Sequence, residues 1–260
     1  MTTKTKITGI IPAMHKLSGQ AMTEFIIILP VLLLLVLGTL QFAFIYQAKV
    51  TLNYAAFEAA RAGSVNNAQI SAMEDGFANA MAALYNHKAN SDAYIDARKV
   101  VRQQIEDGYV DIRLINPSPN AFANHGITGD YDGDGNDERY IPNDNLMYRD
   151  SAVVGKQSIQ DANLLKVHIG YCYELYVPFV NRILWLMQRY GPGEAPAADR
   201  TFGRWWIDDN APPGFFGPPA SGSFAESCIK SPTDDGRLSI VLYSQGIIRM
   251  QSAAILEEDS

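Results

Sequence analysis

The sequence predicts an α+β protein in which a long N-terminal transmembrane helix forms a stem and carries a head of helices and an antiparallel sheet. Three observations support this fold class. The residues from Phe25 to Tyr46 form a run of 22 without a charge. Helical spacing of apolar residues continues after this run, and alternating, strand-like patterns dominate after residue 109. Helices that come first and strands that come later indicate an α+β head on a helical stem.

The uncharged run is long enough to cross a bilayer. As a helix, 22 residues reach roughly 33 Å, which exceeds the ~30 Å of a hydrocarbon core. Pro30 falls in the first turns of this helix, where it deletes one backbone hydrogen bond and bends or loosens the helix. Either this weak point helps the helix to leave the membrane, or Pro30 is a tolerated membrane proline.

A short basic segment precedes the apolar run. The first 19 residues contain three lysines and no acidic residue. Lysines that flank a first span stay cytoplasmic, so we expect the head on the periplasmic side of the inner membrane, although Lys49 on the far side is a weak counter-signal. A secretory signal has its apolar region before the cleavage site, whereas here the apolar run follows Gly19. This order predicts that a leader is removed and the helix is retained.

Glu24 lies at the edge of the apolar run, five residues after Gly19. An unpaired carboxylate is costly at the boundary of the hydrocarbon, so such a residue is a candidate for a functional role. The plainer alternative is that Glu24 only marks the membrane boundary and is solvated by lipid headgroups.

The N-terminal stretch resembles the TadE-like pseudopilins of the tight-adherence (Tad, type IVc) pilus system. Four features fall in register: the glycine, the glutamate, the early proline and the distal Ala-Ala-Arg. They are found in Gly19-Gln-Ala-Met-Thr-Glu24-Phe25, at Pro30 and in Ala59-Ala-Arg61-Ala-Gly63. The rest of the chain resembles such proteins only loosely, with Arg249-Met-Gln-Ser252 as a further similar segment.

The resemblance implies cleavage after Gly19 by a prepilin peptidase, which leaves Gln20 as the new N-terminus. It also implies assembly through Glu24, Phe25 and Pro30, with the carboxylate of Glu24 neutralising the N-terminal amine of a neighbouring subunit. The implied partners are other Tad pilins and pseudopilins, the prepilin peptidase and the inner-membrane assembly platform. Because a buried charge left without its partner is strongly destabilising, Glu24 would set the register of docking.

Composition and length suggest one anchor and one soluble domain. The chain is 47% apolar, has a net charge of −7 and contains two cysteines. An acidic balance argues against nucleic acid as a partner. We therefore expect a leader over 1–19, a membrane and stalk helix over 20–63, and an extracytoplasmic head over 64–260.

The residues after the membrane span keep a helical pattern. Val50, Tyr54, Phe57 and Arg61 share one face, while alanines crowd another. Gly63 is the predicted C-cap of this helix. The half of this helix beyond the membrane needs other parts of the protein to cover its apolar residues.

The elements of the head are predicted from periodicity. Amphipathic spacing predicts helices over 70–84, over 91–107 with Tyr94 facing inward, and over 180–190 after Pro178. Alternation predicts strands over 109–115 and 165–177, and a last strand or hairpin over 238–250.

An acidic loop over 130–141 is a candidate calcium site. Ca²⁺ takes six to eight oxygen ligands around a turn, and D-x-D-x-D-G supplies them, as in the loops of dockerins and thrombospondin repeats that it resembles. The predicted ligands are Asp130, Asp132, Asp134, Asn136, Asp137 and Glu138. Ile141 replaces the bidentate glutamate of an EF-hand, which favours a structural loop with a Kd of about 10⁻⁴ to 10⁻³ M. The alternative is an acidic, solvated turn.

The two cysteines, Cys172 and Cys228, are predicted to form one disulfide, because the head is placed in an oxidising compartment. The bridge would enclose 55 residues and would tie the irregular, aromatic-rich region 191–236 to the sheet. Two buried free thiols are the alternative. The irregular region either packs against the head or presents an adhesive surface.

The sequence offers little evidence for an enzymatic function. The histidines are scattered, and the common hydrolase, metalloprotease and phosphate-loop motifs are missing from the sequence. His168 is predicted to be a satisfied histidine on the polar face of a strand. We therefore expect no enzyme but a minor pseudopilin that primes or caps a Tad pilus used in surface adherence. The alternative is an uncleaved, membrane-anchored periplasmic calcium-binding protein that never enters a filament.

Overall fold

The structure, a computed structural model, describes residues 20–86, 90–131, 133, 135–189, 224, 228 and 238–256. Within these residues it contains six helices and six strands. They are α1 (Gln20–Val65), α2 (Ile70–Tyr85), α3 (Ser91–Glu106), β1 (Val110–Asn116), α4 (Pro119–His125), β2 (Ile127–Gly129), β3 (Glu138–Ile141), α5 (Ile159–Ala162), β4 (Leu164–Glu174), α6 (Val180–Arg189), β5 (Ser239–Arg249) and β6 (Ala254–Ile255). The long first helix and the antiparallel sheets that follow confirm the predicted α+β class.

The larger sheet has the order β1-β4-β5, and both of its pairings are antiparallel. The three predicted strands of the head form this sheet. The predicted strand over 165–177 is too long, because β4 ends at Glu174, opposite the first residue of β5, Ser239. Leu175 and Val177 are nevertheless buried, so the alternating pattern identified core residues beyond the end of the strand.

One face of this sheet and the helices α1 and α2 form the main core. Alternate residues of β4 contribute to it, and they share one cluster with the buried residues of α2. The members from these two elements are Leu165, Val167, Ile169, Tyr171 and Tyr173 of β4 and Met73, Phe77, Ala78, Ala80 and Met81 of α2. The core therefore lies between the sheet and a layer of helices, as expected for apolar faces that must be buried together.

A buried polar contact joins α2, α3 and β4 within this core. The hydroxyl groups of Tyr85 and Tyr171 are hydrogen-bonded to each other, and the side-chain amide of Gln104 donates to the Tyr85 hydroxyl at 2.9 Å. Burial raises the pKa of both tyrosines. Both phenols therefore stay neutral, and the contact fixes how the helices sit on the sheet.

The predicted C-cap at Gly63 is wrong, because α1 continues to Val65. Asn67 and Ala68 take the left-handed conformation instead, with φ of 57° and 64°, and the amide of Ala68 donates to the carbonyl of Gly63 at 2.9 Å. A Cβ at Gly63 would lie 2.8 Å from the side chain of Met73. The glycine thus serves the close approach of α2 and not the end of α1.

Further details differ from the predictions, including the short helices α4 and α5, which were not predicted. Tyr94 of α3 does not face inward, since it is 40% exposed. A second sheet with the order β2-β3-β6 was not predicted. Its strands are two to four residues long, which is too short for an alternating pattern to be visible in the sequence.

Candidate assembly site along the first helix

The first half of α1, Met22–Leu40, is almost entirely uncovered by the other residues that the structure describes. Its large apolar residues are exposed, for example Phe25 at 60%, and only Leu37 and Gly38 are partly covered. In the part of the chain that the structure describes, α1 is the one helix long and apolar enough to cross a membrane. Apolar surface on this scale marks contact with lipid or protein, so the length and composition of α1 indicate a membrane anchor.

The predicted assembly residues all lie in this uncovered half. Gln20 is the first residue of α1, and Glu24, Phe25 and Pro30 lie on the same helix with exposed side chains. The helix continues through Pro30, although proline cannot supply the N–H for its intrahelical hydrogen bond. Gly19, the other residue of the predicted processing site, lies outside the described residues.

The second half of α1, residues 41–65, packs against the head. Its buried positions recur every three or four residues and are mostly small. They are Gln41, Ile45, Ala48, Lys49, Leu52, Ala55, Ala56, Ala59, Ala60, Gly63 and Ser64. The alanine face is the buried one, whereas Val50, Tyr54, Phe57 and Arg61 on the other predicted face are exposed.

Small residues allow α1 to touch the head backbone to backbone. A Cβ at Gly246 of β5 would lie 2.2 Å from the carbonyl oxygen of Ala56 and 2.9 Å from the Cβ of Ala60. A Cβ at Gly76 of α2 would lie 2.8 Å from the carbonyl oxygen of Glu58. Distances below 3.0 Å leave no room for a methyl group, so glycine is required at both crossing points.

Polar side chains of α1 also bind the head. Gln41 is fully buried, and its Oε1 accepts a hydrogen bond from the amide of Val177 at 2.8 Å. The buried Lys49 donates from Nζ to the carbonyl oxygen of Tyr243. Lys49 is therefore a structural contact with β5. The sequence gives no reason to expect this, because a lone lysine after an apolar run resembles a membrane-flanking charge.

The C-terminal segment is hydrogen-bonded to the end of α1. The amides of Gln251 and Ser252 donate to the carbonyl of Ser64 at 2.9 and 3.0 Å. The side-chain amide of Asn67 donates to the carbonyl of Ala253 at 2.9 Å. The segment Arg249–Ser252, which the sequence singled out, thus leads into a contact with the end of the stem.

The acidic loop connects β2 to β3 at one edge of the second sheet. Both carboxylate oxygens of Asp130 accept backbone hydrogen bonds, from the amide of Gly133 at 2.6 Å and from that of Gly135 at 3.1 Å. Glu138 is the first residue of β3 and pairs with Gly129.

Of the other predicted ligands, Asn136 and Asp137 lie between the turn and β3, and Asp132 and Asp134 lie outside the described residues. Among the residues that the structure describes, no group of three or more His, Cys, Asp or Glu is placed to hold a metal. That search leaves out the two aspartates at the centre of the motif, so calcium binding stays a prediction.

The predicted disulfide is present. Cys172 and Cys228 are joined, with a Cα–Cα distance of 5.9 Å. Both are buried on the face of the large sheet opposite α1, in a second cluster with Val241 and Tyr243. Most of the predicted irregular region, 191–236, lies outside the described residues.

His168 lies on that same face of the sheet. Its ring stacks on Tyr243 with a centroid distance of 5.3 Å, and the side-chain amide of Gln245 lies 3.3 Å from its Nδ1. Burial lowers the pKa of His168. The residue thus has polar and aromatic partners, as the sequence predicted.

Comparison with known proteins covers only the stem. Residues 19–61 match the family model described as TadE-like protein. The match spans the segment on which the resemblance was predicted and confirms it. The head lies outside the match, and no curated protein and no solved structure matches the chain.

Proposed function

We propose that this chain, with its TadE-like N-terminal segment, is a minor pseudopilin of a Tad (type IVc) pilus. One observation carries the proposal: the TadE-like match over residues 19–61 includes the half of α1 that the head leaves uncovered. An apolar surface of this length needs either lipid or the helices of other subunits. A protein that moves from a membrane into a filament needs both in turn.

In this proposal a prepilin peptidase cleaves after Gly19, and Gln20 becomes the N-terminus of the mature chain. The basic leader keeps the N-terminus cytoplasmic and the head periplasmic before assembly. The carboxylate of Glu24 then pairs with the N-terminal amine of a neighbouring subunit, and Phe25 and Pro30 belong to the same contact surface. The head is carried to the pilus at the cell surface, where the subunit primes or caps a filament used in adherence.

The proposed role is one of binding and assembly without enzymatic activity. Its partners are other Tad pilins and pseudopilins and the inner-membrane assembly platform. Calcium is proposed as a structural ion of loop 130–138, where the carboxylates of Asp130, Asp132 and Asp134 would reduce their mutual repulsion by sharing a cation.

Co-purification tests the proposal. The full chain with a C-terminal affinity tag is purified from detergent-solubilised membranes and sheared pili of cells that make the filament. We expect other Tad pilins and the assembly platform in the eluate, and loss of the pilins when the prepilin peptidase is deleted. A chain that elutes alone from both fractions would instead support the uncleaved periplasmic calcium-binding protein.

A further inference from the structure

Helix α6 presents an apolar face to its surroundings. Val180 and Leu184 on one side are buried in the core. The adjoining side of the helix carries an outward stripe of Ile183, Leu186 and Met187, which are 40%, 40% and 65% exposed. Surface helices of a soluble domain normally point charged or polar residues away from the core. In α6 the apolar face extends around the helix beyond the residues that the core covers, so part of it stays exposed.

The residue that precedes α6 extends this face. Phe179 is 71% exposed and has a φ of 65°. The left-handed region is unfavourable for a bulky side chain, and such strain persists where the surrounding structure imposes it, often at functional positions. Phe179 lies one helical turn before Ile183, so its ring joins the outward stripe. The neighbouring Tyr176 is also exposed.

The base of α6 lies where α1 leaves the head. The amide of Val177, three residues before α6, donates to the side chain of Gln41 on α1. Gln41 is the first fully buried residue of α1 among those described, and only Leu37 and Gly38 before it are partly covered. The apolar face of α6 is therefore at the end of the head nearest the membrane-spanning half of α1.

The length of α1 places this end of the head at the bilayer surface. From Phe25, the first residue after Glu24, a helix reaches Gln41 after about 24 Å and crosses a ~30 Å hydrocarbon core near Phe44. The contact between Gln41 and Val177 then lies about 6 Å inside the outer boundary of the hydrocarbon, which is within the depth that interfacial helices reach.

We propose that Phe179 and α6 form a second membrane contact, which lies flat in the outer headgroup region of the bilayer that α1 spans. The outward stripe enters the boundary between headgroups and acyl chains, as in interfacial amphipathic helices. The exposed Arg182 on the flank of the stripe reaches the lipid phosphates, and Tyr176 sits at the level preferred by aromatic residues. Two contacts fix the tilt of the head before assembly. This inference rests on the membrane-anchored state in the proposed function.

Depth measurement with single nitroxide labels tests this proposal on the full chain in nanodiscs of phosphatidylethanolamine and phosphatidylglycerol. Both native cysteines are bridged, so one introduced cysteine takes the label. Met187→Cys reports on α6. The matched control is Met147→Cys, an equally flexible side chain that is 80% exposed. It follows Leu146, whose carbonyl binds Gln160 of α5 near the far end of β4. Val31→Cys reports on the span itself.

We expect the label at Met187 to be shielded from a water-soluble nickel complex by about an order of magnitude relative to Met147, and to be reached by oxygen. The double variant Phe179→Ser/Ile183→Ser is expected to restore nickel access at Met187. Equal nickel access at Met187 and Met147, with Val31 shielded, would overturn this proposal alone. Nickel access at Val31 would overturn the membrane anchor as well, and with it the proposed function.

Discussion

The two halves of α1 are one continuous helix in two different environments. Residues 22–40 are mostly large, apolar and exposed, and a Cβ added at Gly38 would have nothing within 4 Å. Residues 41–65 contribute small side chains to the core, and the head approaches them so closely that Gly246 and Gly76 cannot carry a methyl group. The difference shows that, among the described residues, the stem is covered only where the head packs against it. The remaining half is available for lipid or for other subunits.

Substitution of Glu24 gives the largest expected effect and acts only on the uncovered half. We expect Glu24→Gln to reduce incorporation into pili by about 100-fold or more, because removal of one partner from a buried ion pair is strongly destabilising. Thermal unfolding of the head should not change. The ratio of pilus-bound to membrane-bound protein, measured by quantitative immunoblotting, checks this.

Glu58→Gln is the matched control for Glu24, since it removes the same charge from the covered half. Glu58 lies 3.6 Å from Arg61 in a surface ion pair, and such pairs contribute at most about 1 kcal/mol. Incorporation should stay near the wild-type level. Normal incorporation of the processed Glu24→Gln variant would exclude Glu24 from the assembly mechanism.

Removal of the disulfide tests how much the bridge, on the sheet face opposite α1, contributes to the stability of the head that packs on the covered half. The double variant Cys172→Ala/Cys228→Ala should lower the free energy of unfolding of the head by about 4 kcal/mol, because the bridge closes a long loop in the unfolded chain. Chemical denaturation in detergent measures the change. A reductant should reproduce the loss in the wild type and have no effect on the variant. An unchanged midpoint would contradict the expected contribution of the bridge.

Two glycine substitutions compare the halves directly. Gly246→Ala should destabilise the head by about 3 kcal/mol, because the new methyl group meets the backbone of Ala56, which cannot move without shifting α1. Gly38→Ala, in the uncovered half, should stay within about 1 kcal/mol of the wild type, since alanine favours a helix more than glycine. The melting temperatures of the two variants measure the difference. Equal values would mean that α1 does not pack on β5 as described.

Calcium should stabilise the head and leave the uncovered half of α1 unaffected. With a Kd in the range of extracellular loops, about 10 mM Ca²⁺ should increase the free energy of unfolding by about 2 kcal/mol. The variant Asp132→Asn/Asp134→Asn should not respond. Melting curves with added calcium or a chelator measure this, and a wild type that melts at the same temperature in both would leave the solvated-turn alternative.

The smallest expected effect is a dependence on pH from His168. Burial lowers its pKa in the folded state, so the unfolded chain binds the proton more readily. The contribution of His168 to stability is complete above its unfolded pKa of about 6.5 and decreases as the pH falls below it. We expect this loss to be the smallest of the effects described, since the imidazole is only partly buried. His168→Gln should flatten this part of the stability curve between pH 7 and 5, and an unchanged slope would contradict it.

The sequence predicted the elements that depend on periodicity. The uncharged run, the amphipathic spacing of α2 and the alternation in β4 are local patterns, and each produced the expected element. The cysteine pair was also predictable, because two cysteines in an oxidising compartment allow one bridge.

Features that depend on contacts distant in sequence were not predictable. Gly246 and Ala56 meet only because α1 crosses β5, and nothing near either residue indicates the other. The roles of Gln41 and Lys49 follow from backbone partners in the head, more than 130 residues away. The exposed stripe of α6 was not predictable for a similar reason, since periodicity does not tell how much of an apolar helix face the core covers.

The central claim is that the leader is cleaved off and the uncovered half of α1 then assembles with other subunits. N-terminal sequencing of the mature protein tests this claim most directly. The protein is isolated from cells with an active prepilin peptidase. The account predicts a chain that begins at Gln20, with Glu24 as its fifth residue. A chain that still begins at Met1 in those cells would contradict it.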